Sequence, residues 1–211
     1  MKKFWVILIL LLVPFTVNAS EPDMDIDIFG GIHTFSDSDR ADIYGEVPTL
    51  GIRAILWTSD TVGFGISFEN RSSEESGSAY ASNYYMNATA YAKVEFTETE
   101  FNLGVFFRPA EKAKVNIYGG FGLAILNLDE EAKVNVTLNT IYGNRSASAK
   151  ANYDITSYGA FGLIGIEFFP AKSNNVAVFA EIKGTMANSD DTGGNKDVQV
   201  GGVSLVGGIR F

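Results

Sequence analysis

Apolar residues alternate with small or polar ones along much of this chain, with a period of two. From Val62 to Asn70 the alternation is clean: Val62, Phe64, Ile66 and Phe68 stand against Gly63, Gly65, Ser67 and Glu69. A period of two puts the two classes on opposite faces of a β-strand. Eight segments carry the pattern: Met24–Phe35, Pro48–Thr58, Val62–Asn70, Tyr84–Arg108, Val115–Asn127, Ser157–Phe169, Val176–Thr185 and Val198–Phe211. The last is the most telling, with Val203, Leu205, Ile209 and Phe211 opposite Gly202, Ser204, Gly208 and Arg210.

Between the strands, short and long connections alternate. Short ones fall near 59–61, 109–114 and 170–175, and long ones near 36–47, 70–98, 127–156 and 186–197. The long second and third connections contain period-2 runs of their own, Ala88–Phe96 and Val134–Leu138. Strands three to six are therefore expected to continue beyond the others as a projecting sheet. Its acidic, tyrosine-rich surface would be an interaction face, and its exposed edge could pair with a partner strand.

The same alternation can be folded with either face inward. A soluble ligand-binding barrel would bury the apolar class. A membrane barrel would turn it to lipid and close the sheet, since an open edge cannot face hydrocarbon. The second class decides between them. It holds many glycines together with Arg53, Glu69, Arg108, Glu167, Glu181 and Lys183. Glycines and opposite charges suit the narrow interior of an eight-stranded barrel, where side chains fill the lumen. The predicted fold is all-β: an eight-stranded antiparallel transmembrane β-barrel. Those six charges form its lumen network, with Arg53 paired to at least one of Glu69, Glu167 and Glu181.

The first residues read differently. Met1-Lys2-Lys3 is basic, Phe4–Val13 is unbroken and apolar, and Val17-Asn18-Ala19 offers small residues for cleavage. This is the pattern of a signal peptide over 1–19, too short for a spanning helix of about 20 residues. The barrel domain is then 20–211. The chain has no Cys, so neither disulfides nor thiol chemistry is available. Its net charge of −9 argues against nucleic acid as a partner.

With its alternating strands and the ending Ile209-Arg210-Phe211, the chain resembles the small eight-stranded outer-membrane barrels of the OmpA/OmpX-like superfamily. The resemblance implies short periplasmic turns, long extracellular loops and a place in the bacterial outer membrane. Lipid and lipopolysaccharide would surround the barrel. Leu205, Ile209 and Phe211 would form the signal read by the barrel assembly machinery. It also implies two aromatic belts, one near Trp57, Phe107, Phe168 and Phe211, the other near Tyr84, Tyr85, Tyr91, Tyr153 and Tyr158.

Chemistry is sparse. His33 is the only histidine. It could join Ser67 or Ser204 and Asp27 or Glu69, but no His–Ser motif on one strand supports catalysis. The acidic runs Asp37-Ser38-Asp39 and Asp129-Glu130-Glu131 lack calcium-loop spacing. No catalytic residue, metal or cofactor is assigned. The expected function is that of a non-enzymatic surface protein serving envelope integrity and surface interaction. The alternatives are an adhesin or host-factor binder using the loops, a small pore, and a lipid A-modifying enzyme.

Overall fold

The computed structural model describes residues 23–109, 113–170, 176–189 and 198–211. The expected signal peptide, most of the two proline-containing turns and the segment 190–197 lie outside them. Eight antiparallel strands close into a barrel, each paired with its neighbours in sequence and the last with the first. They are β1 (Asp23–Phe35), β2 (Glu46–Trp57), β3 (Val62–Asn83), β4 (Met86–Phe107), β5 (Val115–Thr140), β6 (Gly143–Phe168), β7 (Ala177–Ser189) and β8 (Val198–Arg210). The ring is shut by β1 on β8, from Asp27↔Arg210 to Phe35↔Gly202.

Alternation resolves as the charges required. Leu50, Ile117, Ile164 and Met186 point outward, the first 69 % exposed. Asp27, Arg53, Glu69, Glu167, Glu181 and Lys183 point inward and are buried. A sheet this apolar on the outside is stable only in hydrocarbon. A closed ring leaves no backbone group unpaired there, so the barrel spans a membrane with its strands. No described helix is long and apolar enough to cross one.

Strand lengths divide the barrel in two. Strands β1, β2, β7 and β8 have 12 or 13 residues, close to the 9–11 or so that a tilted strand needs to cross. Strands β3 and β4 have 22 each, and β5 and β6 have 26 each. The extra length stands above the membrane as a four-stranded sheet. The segments 70–98 and 127–156 are thus hairpins rather than loops. They turn through only Tyr84-Tyr85 and Ile141-Tyr142. Each turn is held by the residue before it. Asn83 Oδ1 accepts from the Tyr85 amide at 2.9 Å, and Thr140 Oγ1 accepts from the Tyr142 amide at 3.2 Å.

A helix forms within the long connection that the sequence places near 36–47. Helix α1 (Ser38–Tyr44) is capped by Asp37, whose side chain accepts from the Arg40 amide at 3.0 Å, and it ends on Gly45 at φ 60°. It lies across the upper mouth, the end from which the tall strands rise. There Tyr44 packs with Phe35, Val47, Phe96 and Leu128, and Tyr44 donates to Glu130 Oε1 at 2.8 Å.

Candidate functional site

Two features stand out, a charged lumen and the projecting sheet. The lumen is filled in tiers. At its lower end Trp57 donates to Asp25 Oδ2 at 2.6 Å, and the Arg108 guanidinium lies 3.8 Å from the Trp57 ring centre. Arg108 also reaches Asp23 at 3.0 Å. It follows the last residue of β4, so it closes the lower mouth and does not reach the middle of the network. Trp57 shares the inward parity of Arg53 and Ile55, and an indole N–H inside needs an acceptor. It therefore faces the lumen and does not belong to the lower aromatic belt. Phe107, Phe168 and Phe211 do face outward there.

The next tier is built on two arginines. Arg53 donates through Nε to Asp27 at 2.7 Å and grips both oxygens of Glu181 at 3.1 and 2.7 Å. Arg210 reaches the other side of Asp27 at 2.7 and 2.9 Å and meets Glu167 at 2.5 Å. Tyr118 completes Glu181 with a 2.7 Å bond. Phe29, Phe106 and Phe179 surround the Arg53 guanidinium at 5.4 to 5.6 Å. Planar guanidinium groups suit this place because they bond carboxylates in their plane while the faces pack on rings.

Above the rings sits a second cluster. Arg71 bonds Glu69 at 3.0 Å, Glu100 at 2.6 Å and also Glu98. Lys183 bonds Glu69 and lies 2.7 Å from Glu100. Three carboxylates thus meet two cations, and Glu98 Oε2 finds no protein partner among the described residues. The sequence pattern places Glu69 and Lys183 in the network but leaves out Arg71, Glu98, Glu100, Asp27 and Arg210. Parity was the available signal: Arg71 continues the inward series of Gly65, Ser67 and Glu69, and Arg210 continues that of Ser204 and Val206.

His33 Nδ1 lies 2.9 Å from Ser204 Oγ, one of the two serines within its expected reach. Ser67 is instead bonded to Asn102, and Asp27 and Glu69 are held by cations. His33 Nε2 has no protein partner among the described residues. The pair therefore lacks the carboxylate that would orient a catalytic imidazole. Among the described residues no group of acidic, His or Cys side chains is placed to hold a metal ion.

The projecting sheet is amphipathic. Its outward face carries Glu74, Lys93, Glu95, Glu131, Lys133 and Lys150 among Ser, Thr and Asn. Lys93 bonds Glu74 at 2.9 Å and also Glu95, and Lys150 bonds Glu131 at 2.6 Å. Lys133 and Lys150 hold the Glu131 carboxyl below the usual carboxylate range. The face continuing the lumen wall is apolar, and its residues lie in register. Gly77, Ala92, Val134 and Ala149 form one row, Ala79, Ala90, Val136 and Ala147 the next, and Ala81, Ala88, Leu138 and Arg145 a third. Helix α1 covers the foot of this face at Phe96 and Leu128 but not these rows.

Among the described residues the sheet has two open edges, since β2 leaves β3 after Arg71 and β7 joins β6 only from Tyr158. Of the tyrosines expected in an upper belt, only Tyr158 takes a lipid-side position at the barrel. Tyr153 packs inward against the cluster at the mouth, Tyr91 stands on the outer face of the sheet, and Tyr84 and Tyr85 lie at a hairpin tip.

No protein-family model matches the chain, and no curated protein sequence does. Among solved structures it is similar to Ail, the attachment invasion locus protein of Yersinia pestis, at 17 % identity over 91 % of this chain and 100 % of Ail, with a TM-score of 0.46. It is similar to the neisserial surface protein NspA at 12 % identity over 90 % and 98 % of the two chains, with a TM-score of 0.48. A third is the outer membrane protein OprG of Pseudomonas aeruginosa, at 11 % identity over 91 % and 98 %, with a TM-score of 0.44. The chain's own architecture makes it an outer-membrane barrel of the small eight-stranded type. It is one antiparallel ring of eight strands, apolar outside and charged inside, with the short turn 58–61 at one end and two tall hairpins at the other.

Proposed function

We propose that this chain is a non-enzymatic surface protein whose barrel is a scaffold and whose working part is the projecting sheet. The observation that carries this reading is strand length. Strands β3 to β6 exceed the span of a membrane by ten residues or more, and they stay hydrogen-bonded to their tips. At about 3.3 Å per residue, β5 and β6 rise roughly 45 Å beyond the lipid. The filled lumen supports a scaffold over a pore. The missing carboxylate beside His33 supports a surface role over lipid A chemistry. A host factor or matrix protein would meet the outer face, where glutamates and lysines pair, or the open edges at β3 and β6.

Shortening both hairpins tests this. Replacing 76–93 and 133–150 by Asn-Gly joins Glu75 to Val94 and Ala132 to Ala151, which already face each other across their hairpins. The foot under α1 stays whole. The trimmed barrel folds, migrates faster unheated than boiled, and loses binding to cells or matrix proteins. Binding of equal strength after trimming, or none before it, leaves only a role in envelope integrity, read as sensitivity of the deletion strain to detergents.

Leu205, Ile209 and Phe211 all face lipid on the closing strand, and that supports their role as the signal for the barrel assembly machinery. Phe211→Ala lowers the amount inserted in cells several-fold, while refolding into detergent changes little. Equal insertion in cells removes the signal from this position. The surrounding lipid and lipopolysaccharide would contact the same outward row.

A further inference from the structure

We infer that the apolar inner face of the projecting sheet binds the same face of a second copy carried by an apposed membrane. The inference rests on the reading of the sheet as the working part and names its partner.

The face is unusual for a sheet standing in water. Its three middle rows contain one charged residue, Arg145, at the rim. Val134 is 41 % exposed, and a Cβ added at Gly77 would meet no atom within 4 Å. Antiparallel sheets that face water on one side cover the other. Here the lower part is covered by α1, which ends its cover near Val94 and Tyr153. The upper part has no cover from the described residues.

Area and shape favour a second copy. From the Glu75 row to the Met86 row, nine residues on each strand, the face is roughly 19 Å wide and roughly 30 Å tall at ordinary strand spacing and rise. Two such faces bury roughly 1,100 Å², just under the usual size of stable interfaces and above the 1,000 Å² or so that a specific contact needs. The larger residues Val134, Val136 and Leu138 run up β5, one of the two central strands. Alanines fill β4 and β6 beside it. A continuation of a barrel wall is concave toward the barrel axis. Two concave faces set together leave most room at the centre and least at the flanks. Large central and small flanking residues fit that space, in the manner of two aligned sheets about 10 Å apart.

Direction follows from the barrels. Each copy's barrel lies beneath the space in front of its own inner face. Two copies in one membrane would therefore need their barrels in the same place. A two-fold axis across the strands puts the barrels at opposite ends, in two membranes, and gives a self-matching, closed contact.

The test uses the full chain. In detergent micelles, sedimentation or light scattering of the protein component gives twice the chain mass. Val136→Lys, and separately Ala147→Arg, returns it to the single-chain mass, with faster unheated mobility confirming the barrel in each. Thr137→Lys, one residue away on the polar face, stays at twice the mass. Two populations of proteoliposomes with different dyes are tethered by the wild-type chain and not by Val136→Lys. A monomeric wild type, a dimer indifferent to both inner-face changes, a monomer whose face is filled by lipid, or a dimer that tethers no vesicles overturns the inference. If the wild type is monomeric while hairpin trimming still abolishes binding to cells or matrix, the inference falls and the proposed function stands.

Discussion

Replacing Arg71 with Met leaves little folded barrel, whereas replacing Glu98 with Gln leaves it as stable as before or more so. The two changes act on one buried cluster with opposite sign. Among the described residues Arg71 alone touches all three of Glu69, Glu98 and Glu100, and its side chain is fully buried. Without it, Lys183 alone is left to Glu69 and Glu100, and Glu98 loses the cation it bonds. Removing one partner of a buried pair costs roughly 3–5 kcal/mol because the remaining charge is left in a poorly polarisable site. That is a large part of the 5–15 kcal/mol or so that holds a typical domain together. Glu98→Gln instead matches two carboxylates to two cations and keeps a carbonyl oxygen for Arg71. Urea titration of the refolded protein in lipid vesicles measures both. An Arg71→Met cost below about 1 kcal/mol would mean that water reaches the cluster, and the lumen would then be open, not sealed.

The second large effect comes from a glycine. Gly104 on β4 and Gly122 on β5 face each other across the ladder, and both point inward. A Cβ at Gly122 would fall far inside contact distance of the Leu103 carbonyl oxygen, and one at Gly104 would meet Phe121 O at 2.6 Å. The atoms in the way are backbone, which cannot rotate aside as a side chain can. Gly122→Val therefore exceeds the usual 1–3 kcal/mol or so of overpacking and prevents β4 and β5 from closing the wall. Gly162 on β6 points outward, and a methyl group there would meet nothing within 4 Å, so Gly162→Ala is neutral or slightly stabilising. The refolded fraction on unheated gels separates the two. A Gly122→Val protein that refolds like wild type would show that the strands do not approach this closely.

Much of the fold was legible because period two survives wherever one face meets lipid and the other a packed lumen. Strands β1, β5 and β8 sit within a residue or two of their expected starts for this reason. Legibility ended where the partner of a face changed. Above the membrane the outward face turns polar. From Ser72 to Ser78 both faces of β3 are then small or polar, and the segment reads as a loop although it is strand throughout. Ending β3 at Asn70 hid Arg71, and so hid the centre of the upper cluster. Helix α1 was missed because its seven residues carry only a short apolar face, Ala41 and Tyr44. Its covering role depends on Phe96 and Leu128, contributed by strands far away in sequence. The lumen pairs could be narrowed by parity but not assigned. Which carboxylate meets Arg53 depends on register around the ring, and that brought Glu181 and Asp27 to it in preference to Glu69 or Glu167.

The order of strands in the ring has a kinetic meaning. Seven of the eight pairings join neighbours in sequence, and the two tallest hairpins begin at two-residue turns. Such contacts form by local zippering with little loop entropy to overcome. The seam between β1 and β8 is the exception, since it joins residues as far apart as Asp27 and Arg210. Chain entropy opposing assembly is therefore concentrated in one late event, the meeting of the first strand with the last. The Arg210–Asp27 bonds cross that seam and can form only once it has shut. They act as a latch: weakening them speeds opening of the finished barrel and leaves the zippering of the hairpins untouched.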